Sequence, residues 1–304
     1  MQTRPLLDPA VVLQLRDLSF VARSVVDGFV AGQHKSRHRG TSVDFAEHRP
    51  YSLGDDIRRI DWRLFARTDR YFVKQFEADS NATFLIALDI SRSMRYGTTG
   101  ITKLDYARGL AACLAYLATS QKDRVGLMMF DSEIREFIPP RGGRLEAILR
   151  ALDGIPEPLG AGRLAPPLGR AAEASRRAGV VVLLSDLYEE PEAAVEAIRA
   201  LQYRGSEVVV LHILDPAERS FPFDDVATFQ DLETGDLVPA DPEKIRAEYQ
   251  ALVEAHIAAL REKLGRDRVQ HVFMDTSTPL EIALRHFLRD RGGSARPLRQ
   301  GKDP

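Results

Sequence analysis

The chain has 304 residues, of which 44% are hydrophobic and 28% are charged, a composition typical of a soluble globular protein with a sizeable core. Its formal net charge of -2 and its isoelectric point near 6.4 argue against binding to nucleic acid or anionic lipid by overall charge. The single cysteine, Cys113, excludes an internal disulfide and a cysteine-rich zinc site.

The start of the chain does not resemble a secretory signal. Asp8 and Arg16 interrupt MQTRPLLDPAVVLQLRDL before its apolar run becomes long enough. No stretch approaches the roughly 20 apolar residues that are needed to span a bilayer. The sequence therefore predicts a cytoplasmic protein that does not insert directly into a membrane.

Residues 1–80 differ in character from the rest of the chain. Val11 to Val30 predicts one amphipathic helix, and the residues that follow are dense in charge and aromatic side chains without a clear period. This aromatic content is unlike that of a disordered linker. We therefore predict an N-terminal segment, residues 1–80, that packs on the main domain.

Within this segment, the stretch GDDIRRIDWRLFAR surrounds the only tryptophan with mixed charge. One interpretation is a recognition surface, because tryptophan and arginine often dominate protein interfaces. The other is an internal clamp, in which arginine–carboxylate pairs and a buried tryptophan fasten the segment to the main domain. Closely spaced opposite charges favour the clamp. The residues concerned are Asp55, Asp56, Arg58, Asp61, Trp62 and Arg67.

From residue 81 to 290, strand-like and helix-like segments alternate. Strands that are apolar on both faces indicate a mostly parallel sheet with helices on both sides, which is a doubly wound, Rossmann-type α/β fold. The predicted strands are Thr83–Asp89, Arg124–Phe130, Arg135–Ile138, Val180–Ser185, Glu207–Leu214 and Val269–Met274. The predicted helices are Lys103–Gln121, Leu145–Leu152, Leu168–Arg177, Glu192–Leu201, Pro242–Leu264 and a terminal helix through Leu288.

Two features lie outside this alternation. The polar turn within FQDLETGDLVPA predicts a β-hairpin inserted at about residues 225–240. The polar residues 291–304 predict a disordered tail.

Oxygen-bearing side chains follow two of the predicted strands. Asp89, Ser91 and Ser93 occupy alternate positions after the first strand, and Asp186 follows a later one. In doubly wound folds, ligands bind beyond the carboxyl ends of the strands, and hard oxygen donors suit Mg²⁺ or Mn²⁺. The sequence therefore predicts a metal site, with the alternative that both aspartates cap the helices that follow them.

This arrangement resembles a von Willebrand factor A-like domain with its metal-ion-dependent adhesion site (MIDAS). The upstream stretch from Gly54 to Arg67 resembles the bacterial family known as domain of unknown function 58, in which such a segment precedes an A-like domain. The segments RVGLMMFDSEI, FIPPRGG and DLETGD are similar to that family's pattern as well. The resemblance covers about Leu18 to Leu288.

The resemblance implies three groups of metal-site residues. Asp89, Ser91 and Ser93 match the first group, and Asp186 matches the last. The middle group is normally a threonine, but this chain has Gly162 there, with Arg163 at the position of an acid. Since glycine offers no side-chain oxygen and a nearby arginine competes with a cation, we expect a weak or water-completed site, or one that has lost the metal.

The resemblance also implies a non-enzymatic interaction module. Its partners would be a MoxR-type AAA+ ATPase, in chaperone-like complex assembly or maturation, and an acidic protein ligand. No P-loop, nucleophile elbow or HExxH motif is present, which agrees with a non-enzymatic role. The basic run HKSRHR is diluted by nearby acids, so we expect no nucleic-acid partner. The alternative is a magnesium-dependent phosphotransferase or phosphatase with Asp89 as nucleophile, although Ser91 stands where such an enzyme usually has a second aspartate.

Overall fold

A computed structural model describes residues 9, 13, 17–36, 48–50, 62–74, 82–155, 162–174, 179–202, 205–232 and 234–291. The chain divides into two compact units. The larger unit comprises Met1–Phe29 and Ala82–Pro304, and the smaller comprises Val30–Asn81. Among the described helices, none is long and apolar enough to cross a membrane.

Helix α1, Leu18–Ser36, begins later than the predicted helix. Asp17 is not helical, and its side-chain Oδ1 accepts a hydrogen bond from the Phe20 amide at 3.0 Å, as an N-cap does. The prediction of one helix from Val11 is therefore wrong at this position. The bounds of the N-terminal segment, residues 1–80, stay a prediction, and the apolar face of α1 packs in the core of the larger unit. That face comprises Leu18, Val21, Ala22, Val25 and Val26.

The smaller unit contains two short strands and a helix: β1 (His48–Pro50), α2 (Trp62–Thr68) and β2 (Phe72–Lys74), with β1 and β2 antiparallel. The predicted clamp residues Asp55, Asp56, Arg58 and Asp61 lie outside the described residues, whereas Trp62 and Arg67 lie on α2.

The prediction of a buried Trp62 is wrong, since this residue is 58% exposed. On the short helix α2, its ring meets Phe65 edge to face at 6.1 Å, and Phe65 in turn stacks on Tyr71 at 4.5 Å. The indole is therefore covered on one edge by Phe65 while much of its surface faces solvent. The choice between a recognition surface and an internal clamp stays a prediction.

A central six-stranded sheet forms the larger unit, in the order β10-β7-β6-β3-β4-β5. Its neighbouring strands are parallel except β4 and β5, which are antiparallel at one edge. This topology confirms the predicted doubly wound, mostly parallel α/β fold. The strands after β2 are β3 (Thr83–Asp89), β4 (Arg124–Phe130), β5 (Ile134–Arg141), β6 (Val180–Ser185), β7 (Glu207–Leu214), β8 (Ala227–Gln230), β9 (Leu237–Ala240) and β10 (Gln270–Asp275).

Helices cover both faces of this sheet. One face packs against α1, α3, α4 and α9, and the other packs against α5, α6 and the end of α8. The helices after α2 are α3 (Lys103–Ser120), α4 (Leu145–Asp153), α5 (Ala165–Ala174), α6 (Pro191–Gln202), α7 (Pro216–Ser220), α8 (Pro242–Arg266) and α9 (Leu280–Arg291), with a 3-10 turn at Ser93–Arg95.

The predicted hairpin is confirmed as an antiparallel pair of strands, β8 and β9, separate from the central sheet. Phe229 on β8 packs at 5.3 Å from the ring of Phe221, which also contacts Tyr249 on α8 at 4.4 Å. These aromatic contacts fix the base of the hairpin. Of the predicted tail, Arg291 ends α9, and residues 292–304 lie outside the described residues.

Candidate functional site

The predicted oxygen cluster lies at the carboxyl end of β3. Asp89 ends the strand and is only 4% exposed. Its Oδ1 accepts a hydrogen bond from the Ser91 amide at 2.9 Å, and its Oδ2 accepts one from the Ser185 hydroxyl at 2.6 Å. The hydroxyls of Ser91 and Ser93 lie 3.1 Å apart. The structure thus brings the three motif residues together and fixes the carboxylate from two sides.

Asp186 lies close to this cluster because β6 is the parallel neighbour of β3. Both aspartates line one cleft of about 40 Å³. Burial and, after it, the nearby negative charge of Asp186 raise the pKa of Asp89 to about 7, against the hydrogen bonds from Ser185 and Ser91 that lower it. Two buried carboxylates at one sheet edge therefore create a place that favours positive charge.

Neither aspartate acts as the cap of a following helix, which was the alternative interpretation. Helix α3 is capped by Thr102, whose hydroxyl accepts from the Asp105 amide. Asp186 Oδ2 instead accepts a hydrogen bond from an ammonium group, and α6 begins only at Pro191.

That ammonium belongs to Lys103, a residue that sequence reasoning did not assign to the site. Its side chain is fully buried, and Nζ lies 2.8 Å from Asp186 Oδ2 and 2.5 Å from Glu218 Oε1. Burial alone would lower the pKa of this ammonium, but the two carboxylates outweigh burial and raise it. The Tyr188 ring covers the ammonium at 4.8 Å. Lys103 therefore brings a permanent positive charge to the site.

Another buried aspartate, Asp215, follows β7 at the same edge of the sheet. Its carboxylate accepts hydrogen bonds from the amide and hydroxyl of Thr98 and from the Ala217 amide. Glu218 Oε2 accepts from the Asp215 amide at 2.7 Å, which completes a capping box at the start of α7. Sequence analysis did not identify this pair, although its D-x-x-E spacing after a buried strand is the signal that indicates such a cap. Asp215 is held as a structural cap, and Glu218 links that cap to Lys103.

Gly162 and Arg163 stand where the resemblance implies a threonine and an acid, and both lie at the site. Gly162, Arg163 and Leu164 line the cleft together with Asp89 and Asp186. The Leu164 amide donates to Glu189 Oε1 at 2.6 Å, which holds the loop beside the following turn. The threonine position of the metal site is thus occupied by a residue without a side-chain oxygen.

The oxygen donors that remain suit a small divalent ion that keeps several of its waters. They are two carboxylates and two hydroxyls, from Asp89, Asp186, Ser91 and Ser93. Across the described part of the chain, no group of three or more histidine, cysteine, aspartate or glutamate side chains is placed to hold a metal.

Comparisons with known proteins extend these observations. Residues 47–259 match the family described as "Protein of unknown function DUF58". The uncharacterized proteins Rv1480 of Mycobacterium tuberculosis and Mb1516 of Mycobacterium bovis are each 31% identical over 232 residues, which cover 75% of this chain and 73% of theirs. The 60 kDa subunit of magnesium chelatase from Cereibacter sphaeroides is 28% identical over 180 residues, 54% of this chain and 31% of that subunit.

Solved structures of low sequence identity also align with the chain. BatB from Bacteroides thetaiotaomicron gives a TM-score of 0.47 at 18% identity, with 69% of this chain and 98% of that chain covered. The SpRpn10 VWA domain gives a TM-score of 0.41 at 14% identity, with 66% and 92% covered.

Proposed function

The chain belongs to the DUF58 family of proteins of unknown function, and from that premise we propose that it is a non-enzymatic protein-interaction module. It acts with a MoxR-type AAA+ ATPase in the chaperone-like assembly or maturation of protein complexes in the cytoplasm. The observation that supports this proposal is the convergence of Asp89, Ser91, Ser93 and Asp186 at one surface cleft. The magnesium-chelatase relative is by its name a subunit, which favours work in a multichain complex.

The same proposal includes Mg²⁺ or Mn²⁺ at the carboxyl edge of the sheet. Asp89, Ser91, Ser93 and Asp186 would hold the ion, which when bound offers a coordination position to a carboxylate of the acidic protein ligand. Lys103 competes for Asp186, so the protein binds the ion weakly and water completes its shell. Titration calorimetry with each ion, on the wild type and on Asp89→Ala, tests this part of the proposal.

The alternative, a magnesium-dependent phosphatase with Asp89 as nucleophile, is less well supported. Both oxygens of Asp89 accept hydrogen bonds from the protein, and a raised pKa leaves less of the carboxylate in its nucleophilic form at neutral pH. Ser91 has no proton-transfer pKa near neutrality and cannot act as the second acid. Phosphate release from a generic phosphoester that disappears in Asp89→Asn would support the enzyme instead.

Co-purification tests the interaction itself. The wild type, Asp89→Ala and the control Glu146→Ala are each tagged and mixed with the MoxR-type ATPase, with Mg²⁺ or with EDTA. Glu146 is a suitable control because its side chain is 88% exposed on α4. We expect the wild type and Glu146→Ala to retain the ATPase and Asp89→Ala to lose most of it. A wild type that retains none would contradict the partnership, and equal retention by Asp89→Ala would contradict the site.

A further inference from the structure

A larger cleft adjoins the oxygen cluster. It has a volume of about 450 Å³ and is lined by Ser132, Glu133, Arg163, Pro166, Pro167 and Arg170. Arg163 also lines the cleft of Asp89 and Asp186, so the two spaces share this side chain. A ligand that reaches the oxygen cluster can therefore extend into the larger cleft along Arg163.

Positive charge dominates this larger cleft. Arg163 and Arg170 are both exposed, and neither guanidinium forms a salt bridge with an acid among the residues that the structure describes. Glu133 is the one acid in its lining, and its carboxylate lies 3.8 Å from the Arg135 guanidinium. Arg135 in turn binds both oxygens of the buried Asp131 at 2.9 Å. Arg163 also acts on Glu189 in the adjoining cleft, where burial raises the pKa of that carboxyl and Arg163 lowers it, but the two are not in a salt bridge. Glu133 lies beside the positive charge of Arg135.

The N-terminus of helix α5 offers few backbone N–H groups to an anion. Prolines at positions 166 and 167 carry no backbone N–H, and the Leu164 amide already donates to Glu189. The guanidinium groups are therefore the main groups that can bind an anion in this cleft. The proline rings add rigid apolar walls for the methylene groups of an acidic side chain.

We propose that this cleft binds a carboxylate-bearing segment of a protein partner through Arg163 and Arg170, and that the binding requires no divalent ion. The inference rests on the proposed interaction function and adds to the contact at the ion a second contact for the acidic ligand, one that forms without the ion. Guanidinium groups form paired hydrogen bonds with carboxylates and stay charged at all relevant pH values. Arg163 thereby supplies, beside Gly162, the positive charge that a well-held metal would otherwise provide.

Peptide binding to the full chain tests this proposal. The probe is a short fluorescein-labelled peptide rich in glutamate, and its control has glutamine in place of each glutamate. Fluorescence anisotropy is recorded in EDTA and in Mg²⁺ for the wild type, for Arg163→Gln with Arg170→Gln, and for Arg150→Gln. Arg150 is a matched control because its side chain is 74% exposed on α4.

We expect the wild type to bind the glutamate peptide in EDTA and the glutamine peptide far more weakly. The double variant should bind the glutamate peptide about tenfold more weakly. Arg150→Gln should stay within about twofold of the wild type. Circular dichroism of each variant confirms that the fold is retained.

Three outcomes would overturn the inference. Binding that disappears in EDTA would assign the acidic ligand to a metal, and equal weakening by Arg150→Gln would reduce the effect to overall charge. Tighter binding of a phosphoserine peptide than of the glutamate peptide would show that the cleft selects phosphate rather than carboxylate. Failure of the ATPase to co-purify is a separate result, because the peptide measurement contains no ATPase.

Discussion

The Lys103 ammonium lies between the carboxylates of Asp186 and Glu218, in a place that water does not reach. A buried ion pair gives little net stability compared with apolar residues, since each charge loses its hydration. Removal of one partner is much more costly, because it leaves the opposite charge buried without compensation. Here one lysine compensates two carboxylates.

Replacement of Lys103 by methionine should therefore lower the free energy of unfolding by about 3–5 kcal/mol. Methionine keeps the length of the side chain and removes only the charge. Urea denaturation at neutral pH measures the change. Lys263→Met is the control, because Lys263 pairs with Glu192, whose side chain is 72% exposed, and should lose at most about 1 kcal/mol. Similar losses in both variants would contradict the role given to Lys103.

The candidate site could be predicted from the sequence only in part. Asp89 and Asp186 were found because each directly follows an apolar run, and strand ends meet at one edge of a parallel sheet. Lys103 was missed because its partners lie 83 and 115 residues further along the chain. The one local signal was a lysine in the first turn of a helix, where the helix dipole disfavours positive charge.

At the scale of elements, β4 and β5 pack unusually closely at Gly126. The register of this antiparallel pair shifts between Val125 and Leu127. A Cβ atom added to Gly126 would lie 2.6 Å from the Ile138 carbonyl oxygen and 2.7 Å from the Pro140 ring. Glycine at this position lets the edge strand β5 approach β4.

Gly126→Ala should therefore destabilise the protein by about 1–3 kcal/mol, because the edge strand must move away. Gly169→Ala is the matched control on α5, where an added Cβ meets nothing within 4 Å. Since alanine favours a helix over glycine, this change should stabilise the protein by up to about 1 kcal/mol. Urea denaturation of both variants checks the signs, and a stabilising Gly126→Ala would show that the two strands are not tightly packed.

The ends of the strands and helices could be predicted only where the sequence carries a clear local signal. The predicted bounds of β3 and β4 are confirmed, because each apolar run ends at an aspartate, Asp89 in β3 and Asp131 just after β4. β5 extends to Arg141, beyond the predicted Ile138, since an edge strand tolerates prolines that lack a backbone donor. The start of α1 was misplaced because Asp17 divides an apolar pattern that looked continuous.

At the scale of the whole molecule, two histidines make the stability depend on pH. His212 on β7 and His271 on β10 face each other, with Nδ1 of the first 3.2 Å from Nε2 of the second. Burial and, after it, the positive charge of nearby Arg261 lower the pKa of His271 to about 4. Burial and, after it, the positive charges of His271 and His256 lower the pKa of His212 well below its usual value.

These shifts determine how stability changes with pH. Above about pH 6.5 neither histidine is protonated in the folded or the unfolded chain, so their contribution is fully present. Below that pH the unfolded chain binds protons that the folded chain excludes, and the contribution is lost as the pH falls toward 4. Asp89 acts in the opposite direction, because its raised pKa makes the folded chain hold a proton that the unfolded chain releases.

His271→Gln isolates the histidine effect, since Asp89 is unchanged in the variant. Between about pH 7 and pH 5, we expect the wild type to lose on the order of 1–2 kcal/mol more of its free energy of unfolding than this variant loses. Urea denaturation at the two pH values measures this difference. His286→Gln, at an exposed position on α9, should show the same pH dependence as the wild type. If His271→Gln also kept the wild-type dependence, the acid sensitivity would have to come from other groups.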